Sequence, residues 1–313
     1  MKALSSYLWT EKYRPDSIKG IILPASVKTK LSRFLTDGEI ANLLLYSNSP
    51  GTGKTTTAKA LCNDLGADFL YINASKDGNI DTLRLEISKF ATVKSLTGKP
   101  KVVILDESEG TTPSFQAALR AFIEEFNKSC RFILTCNYVT KLIEPLRSRC
   151  GTQIDFNFMD KKVQEEMKPK ILKRLIGILE NENVTYKEET LQKIVNTYYP
   201  DIRKMIGTLQ DFSLNSNDIN DSIFESQKIE SELYQYILEN NLTEARKFVI
   251  EKNYNYTELY SEFFRTFVPM LAKDKQSQVI MLLAQYALWD GQVVDRELNF
   301  SAAMLEIMGI LNG

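Results

Sequence analysis

LLLYSNSPGTGKTTTAKAL, residues 43–61, reads as a short apolar strand, a glycine-bearing turn and the opening of a helix. The run Ser49-Pro50-Gly51-Thr52-Gly53-Lys54-Thr55-Thr56 lies at the strand-to-helix junction, where a phosphate-binding loop belongs. Gly51 and Gly53 let the backbone curl round an anion, and the amides of the turn and of the helix start point inward at it. Pro50, Gly51, Thr52, Gly53, Lys54, Thr55 and Thr56 are therefore the candidate nucleotide-binding residues. Lys54 is expected to reach the β- and γ-phosphates and the Thr55 hydroxyl to ligate Mg²⁺. The usual first glycine of G-x-x-x-x-G-K-[ST] is Asn48 here, and asparagine tolerates positive φ better than other side-chain-bearing residues.

Strand-like and helical runs alternate on either side of this loop. ANLLLYS (41–47), DFLYIN (68–73), KVVILDE (101–107) and RFILTCN (131–137) predict strands. TTAKALCNDLG (56–66), DTLRLEISKFAT (81–92) and PSFQAALRAFIEEF (113–126) predict helices, the last with proline near its start. Continuous apolar strands in βαβ alternation indicate a parallel sheet covered on both faces by helices. Near residue 160 the pattern turns helical. KPKILKRLIGILENENV (168–184) sets Ile171, Leu172, Leu175, Ile176 and Leu179 on one face. NSNDINDS (215–222) reads as a linker. Beyond it Leu259, Phe263 and Phe267 recur every four residues, and Ile280, Leu283, Ala284, Ala287 and Leu288 show similar spacing. The expected division is an α/β nucleotide domain over 1–160, a small helical domain over 161–225 and a helical domain over 226–313.

VVILDE ends in Asp106 and Glu107. At a strand end beside a phosphate loop, Asp106 is expected to hold Mg²⁺ directly or through its waters, and Glu107 to polarise an attacking water. An adjacent acidic pair separates a hydrolase from a protein that only binds nucleotide. Asn137 closes the next strand, where its amide can orient that water. No Asn-Lys-x-Asp string follows, so guanine is not the expected base. The predicted substrate is ATP.

The composition narrows the alternatives. The 313 residues carry a formal net charge of -1, so any DNA contact must come from a local patch or from several copies sharing a surface. There is no histidine, which removes Ser-His and Cys-His nucleophilic catalysis. Cys62, Cys130, Cys136 and Cys150 show no metal-binding spacing and are expected to be buried, reduced thiols. The N-terminal MKALSSYLWTEKYRP contains no apolar stretch long enough for a signal peptide, and no long apolar run follows. A cytoplasmic protein with no membrane partner is expected.

Several further matches, spaced in order, resemble the replication factor C small-subunit family of AAA+ clamp loaders, and within it most of all the large ATPase subunits of T4-type bacteriophages. Trp9-Thr10-Glu11-Lys12-Tyr13-Arg14-Pro15 resembles the family's W-x-E-K-Y-R-P box, Asn73-Ala74-Ser75 its N-A-S box, Ser148-Arg149-Cys150 its S-R-C motif, and Pro200-Asp201-Ile202-Arg203 its second sensor. The resemblance implies an AAA+ domain followed by a helical lid and a helical collar. It implies that Tyr13, Arg14 and Pro15 border the adenine and that Arg203 bridges lid and phosphate. It implies that Arg149 projects into a neighbouring subunit's ATP site, where an always-charged guanidinium meets phosphate oxygens as charge spreads. A structural ion pair at Arg149, with Arg147 as the finger, is the alternative. Lys76, Arg84 and Lys89 are implied to touch DNA phosphates, and Gln116 and Arg120 to relay binding to Glu107. The implied partners are further copies of the chain in a pentamer, a companion small subunit, a sliding clamp and primer-template DNA. Another AAA+ machine, such as a branch-migration motor or an initiator loader, is the rival.

Overall fold

The structure is a computed structural model and describes residues 7–75, 80–93, 98–252 and 254–312. It forms two compact units, Met1–Asn220 and Asp221–Gly313. The first unit opens with α1 (Trp9–Lys12) and α2 (Ala25–Asp37), followed by β1 (Leu43–Tyr46), α3 (Lys54–Leu65), β2 (Asp68–Asn73) and α4 (Ile80–Thr92). Then come β3 (Lys101–Asp106), α5 (Pro113–Glu125), β4 (Arg131–Cys136), α6 (Glu144–Arg147) and β5 (Thr152–Asp155). It ends with α7 (Lys161–Asn181), β6 (Thr185–Tyr186), α8 (Glu188–Tyr198), α9 (Ile202–Asn215) and β7 (Asp218–Ile219).

The main sheet is parallel throughout, in the order β2-β3-β4-β1-β5. Leu43, Leu44, Leu45 and every residue from Val102 to Leu105 are fully buried, as central strands covered on both faces require. α4 and α5 cover one face: Leu83, Ile87 and Ala91 pack with Phe115, Leu119 and Phe122 against Val103, Leu105, Phe132 and Leu134. α3 packs against β3 and β4 outside that cluster. β2 departs from the two-faced expectation. As an edge strand it leaves Phe69 and Tyr71 more than a third exposed, while Ile72 is buried.

The strands and helices expected around the loop form to within two residues at each end. Local chemistry explains the boundaries. Gly66 takes a left-handed φ of 59° as the C-cap of α3, and the Thr112 side chain accepts from Phe115 N ahead of Pro113 at the start of α5. The helix expected from 168 begins at Lys161, because the Asp160 carboxylate caps it by accepting from Lys162 N and Val163 N. It continues through Pro169, which lacks an N–H for that turn. Ile171, Leu175 and Leu179 are buried as expected, whereas Leu172 and Ile176 are only half-buried.

The stretch read as a linker is not uniformly open. Ile219 within it is fully buried and pairs with Tyr186 in the small parallel β6–β7 sheet.

The second unit holds α10 (Glu225–Leu238), α11 (Leu242–Glu251), α12 (Tyr256–Glu262), α13 (Lys273–Asp290) and α14 (Arg296–Asn312). Leu259, Phe263 and Phe267 form its core with Leu233, Phe300 and Met304. The spacing along α13 misleads. Its buried face is Val279, Leu282, Leu283 and Tyr286; Ile280, Ala284, Ala287 and Leu288 are exposed. The helix is apolar on several sides, so periodicity alone does not choose the inner one. No helix among the described residues is long and apolar enough to cross a membrane. All four cysteines are free and buried. Burial pushes the thiols of Cys62, Cys136 and Cys150 up to about 12 and that of Cys130 to about 11.

Candidate nucleotide site

The expected nucleotide residues meet in one cleft. Tyr13, Arg14 and Pro15 line it, as do all seven residues from Pro50 to Thr56, then Asp106, Glu107, Asn137 and Arg203. It opens at the C-terminal ends of the strands, where doubly wound sheets place their ligands. Gly51 and Gly53 hold φ of 66° and 96°, the left-handed region the loop was expected to need. Asn48 does not require the tolerance that its sequence position suggested. It has no positive φ, and its N–H donates to Asn157 Oδ1 at 2.7 Å, so this end of the loop is anchored without a glycine.

Lys54 is almost fully buried. Its ammonium donates to Ser47 Oγ at 2.6 Å, Asn137 Oδ1 at 2.9 Å and Ser49 O at 3.1 Å. Burial lowers its pKa, while Cys136, Glu109 and Asp106 pull the other way. With only neutral acceptors around it, the ammonium is poised for a phosphate.

β4 lies between β1 and β3, so Asp106 reaches the loop past the end of β4. Asp106 Oδ1 accepts from Thr55 Oγ1 at 2.7 Å and from Thr135 Oγ1. Its Oδ2 accepts from Tyr71 OH at 2.7 Å. Burial and this bond raise the Tyr71 phenol well above its ordinary range. A hydroxyl and a carboxylate in contact make a hard-oxygen donor set that fits Mg²⁺.

Glu107 stands in left-handed geometry, φ 56° and ψ 43°. Its N–H donates to Thr135 Oγ1 at 3.2 Å, and its Oε2 accepts from Asn73 Nδ2 at 3.4 Å. Ser75 Oγ lies 2.6 Å from both Glu107 Oε2 and Asn73 Oδ1, and its single proton serves one of them at a time. The N-A-S box thus faces the acidic pair. Asn137 is fixed from behind by its own N–H, which donates to Glu109 Oε1 at 2.8 Å.

One end of the cleft has apolar walls from Tyr13, Pro15, Ile21, Ile22 and Ile206. Tyr13 OH donates to Glu182 Oε1 at 2.6 Å, and Gln210 of α9 accepts from Trp9 N and donates to Tyr7 O. The N-terminal arm is thereby tied to the helices that follow the sheet. The start of α9 touches the loop itself: a Cβ on Gly51 would lie 1.8 Å from Asp201 Oδ1 and 3.0 Å from Arg203 Cβ. Gly51→Ala is therefore expected to weaken ATP binding about tenfold or more, read by titration with fluorescent nucleotide.

Arg149 does not line this cleft. Thr152, three residues on, pairs with Leu43 at the start of β1, whereas the loop follows the end of β1. Arg149 lines a separate groove with Phe34, Asp37, Glu124 and Arg131. Its guanidinium lies 2.7 Å from Glu124 Oε1, which also accepts from Arg120 Nε at 3.0 Å. These bonds hold the Glu124 carboxyl below the usual range, the Arg120 bond foremost. The ion pair of the alternative reading thus exists at Arg149, but both partners are over 40 % exposed, where such pairs contribute little. Arg84 and Lys89 are exposed on α4, with the Arg84 guanidinium 5.7 Å from the Phe122 ring. Lys76 lies outside the described residues. Gln116 is buried and bonds Lys141 O, Thr111 O and Ile143 N; neither it nor Arg120 hydrogen-bonds Glu107.

Sequence reasoning missed Ser47, Tyr71, Glu109 and Thr135, and also Arg174, which lines the cleft. Two of these left a signal. Tyr71 stands two residues before Asn73 on the same strand face, and Glu109 two residues after Glu107.

Comparison with known proteins agrees with this geometry. Residues 43–158 match the ATPase family associated with various cellular activities (AAA). The sliding-clamp-loader large subunit of Escherichia phage RB69 is 40 % identical over 210 residues, 66 % of this chain and 65 % of that one. The replication factor C small subunit of Archaeoglobus fulgidus is 35 % identical over 283 residues, covering 85 % of this chain and 86 % of the relative. Among solved structures, the RuvB Holliday junction branch migration motor of Thermotoga maritima superposes with a TM-score of 0.54 at 20 % identity, over 78 % of this chain and 86 % of that one. At that identity the likeness is one of fold alone. Sequence similarity along most of both chains, on an AAA ATPase core, places this chain in the replication factor C small-subunit family.

Proposed function

We propose that the chain is an ATP-hydrolysing subunit of a sliding-clamp loader, and that its catalytic site is completed by a neighbouring copy. The observation that carries this reading is the position of Arg149, exposed on a groove apart from its own nucleotide cleft. A finger so placed serves an adjacent subunit more readily than its own.

Within one chain the division of labour follows from the cleft. Gly51, Gly53 and the first amides of α3 cradle phosphate oxygens, and Lys54 turns from its neutral acceptors to the β- and γ-phosphates. Thr55 and Asp106 would hold Mg²⁺, which supplies charge neutralisation on the phosphates. Glu107 polarises the attacking water and Asn137 orients it. Arg203, at the start of the helix that touches Gly51, makes closure of the helical segment 161–225 sensitive to the γ-phosphate. Arg149 of the neighbour meets the charge that spreads in the transition state.

The same reading assigns the remaining surfaces. Residues 226–313 form the collar, whose exposed apolar face on α13 (Ile280, Met281, Leu288) suits packing against other subunits. Arg84 and Lys89 on α4 serve DNA phosphates, repeated once per subunit round a pentamer of this chain and a companion subunit. ATP binding closes the subunits into a spiral that holds the clamp open, primer-template DNA completes the sites, and hydrolysis releases the clamp on DNA.

The test is steady-state ATP turnover of the chain alone, then with companion subunit, clamp and primed DNA. Turnover is expected to rise sharply only in the full mixture. A monomer hydrolysing ATP at the full rate, indifferent to clamp and DNA, overturns the proposal. Processive strand separation without clamp dependence would favour a motor instead.

A further inference from the structure

β2 presents two side chains to the acidic pair, and only one belongs to the N-A-S box. Tyr71 and Asn73 are two residues apart, so they share a face of the strand. In the β2–β3 register Tyr71 pairs with Ile104 and Asn73 with Asp106. From these positions Asn73 reaches Glu107, while Tyr71 OH donates to Asp106 Oδ2 at 2.7 Å. The other carboxylate oxygen accepts from Thr55 and Thr135. Lys59 of α3 covers the Tyr71 ring, its ammonium 3.8 Å from the centroid, and holds the phenol in place from the helix side.

We infer that Tyr71 is a positioning residue for the metal end of the nucleotide site, fixing the plane of the Asp106 carboxylate through its phenolic hydrogen bond. The inference rests on the reading of Asp106 as the group that holds Mg²⁺. When Thr55 turns from Asp106 to a metal ion, the carboxylate keeps Thr135 on Oδ1 and Tyr71 on Oδ2. One donor on each oxygen prevents rotation about the Cβ–Cγ bond. The lone pairs left over then face the cleft, where a hydrated divalent cation needs them. Without the phenol, Oδ2 loses its protein donor and the carboxylate is free to turn. Mg²⁺ with its ordered waters demands near-octahedral geometry, so it is the ligand most sensitive to such a turn.

The experiment uses the full chain and a fluorescent ATP analogue, with affinity measured across a series of free Mg²⁺ concentrations. Tyr71→Phe keeps the ring and its contact with Lys59. The half-point of the Mg²⁺ dependence is expected to rise about tenfold or more, the size of one hydrogen bond to a charged group. Affinity without Mg²⁺ should stay where it is. A merely structural tyrosine would shift that affinity and leave the Mg²⁺ half-point alone. Asp106→Asn runs beside it and should flatten the Mg²⁺ dependence. A normal Mg²⁺ response in Tyr71→Phe with a flattened one in Asp106→Asn overturns the role of Tyr71 alone. A normal response in Asp106→Asn overturns the metal reading of Asp106, and the inference with it.

Discussion

Arg149→Ala is expected to cut turnover in the complete assembly by about a thousandfold or more, while ATP binding by the isolated chain changes by less than about twofold. The two halves of this result come from the same geometry. Arg149 touches no group of its own cleft, so its loss leaves the loop, the acidic pair and the apolar walls intact. What is lost is a guanidinium that would meet the γ-phosphate of the adjoining site as negative charge spreads over it. Its ion pair to Glu124 is exposed and shared with Arg120, so losing it costs the fold little. Mixing variants tests the in-trans role directly. Assemblies that combine Arg149→Ala subunits with Glu107→Gln subunits should regain part of the turnover, because a site with intact Glu107 can borrow an intact Arg149. Full activity in assemblies of Arg149→Ala alone would return the finger to Arg147, whose Nε is buried without a hydrogen-bond partner.

What the sequence revealed and what it hid divide along the range of the interactions. The loop, its flanking strand and helix, and the capped ends at Gly66 and Thr112 depend on a few adjacent residues, so they were legible. So were Asp106, Glu107 and Asn137, each the last or next residue after an apolar strand. β5 was not. Thr152–Asp155 is a four-residue edge strand with only Ile154 buried, too short and too polar to show a pattern. The inward face of α13 was misjudged because apolar residues stand on its outer side too, and only packing against α12 and α14 decides between them. Tyr71 looked like ordinary strand filling. Its hydroxyl acquires a partner only through the β2–β3 pairing, a relation between residues 35 positions apart. The side-chain bonds that tie Gln210 to the N-terminal arm span 201 and 203 positions and left no local trace.

Glu107→Gln should trap ATP: binding retained, turnover down about a hundredfold or more in the full mixture. The carboxylate is not needed to build the cleft. Its backbone N–H, not its side chain, bonds Thr135, and a glutamine can still pair with Ser75 and Asn73. Glutamine, however, carries no charge with which to polarise water, so the chemical step alone should suffer. In the chain as it stands, Glu107 Oε2 faces Asn73 at the end of β2 and Ser75 just beyond it. Under the proposed role, polarising a water beside the γ-phosphate would require the carboxylate to leave those donors, and Glu107 itself stands in left-handed backbone geometry. Single-turnover measurements distinguish the outcomes. A slow hydrolysis step with normal ATP association assigns Glu107 to the chemistry. A parallel loss of ATP affinity would mean that the carboxylate shapes the cleft, and the division of labour between Asp106 and Glu107 would have to be redrawn.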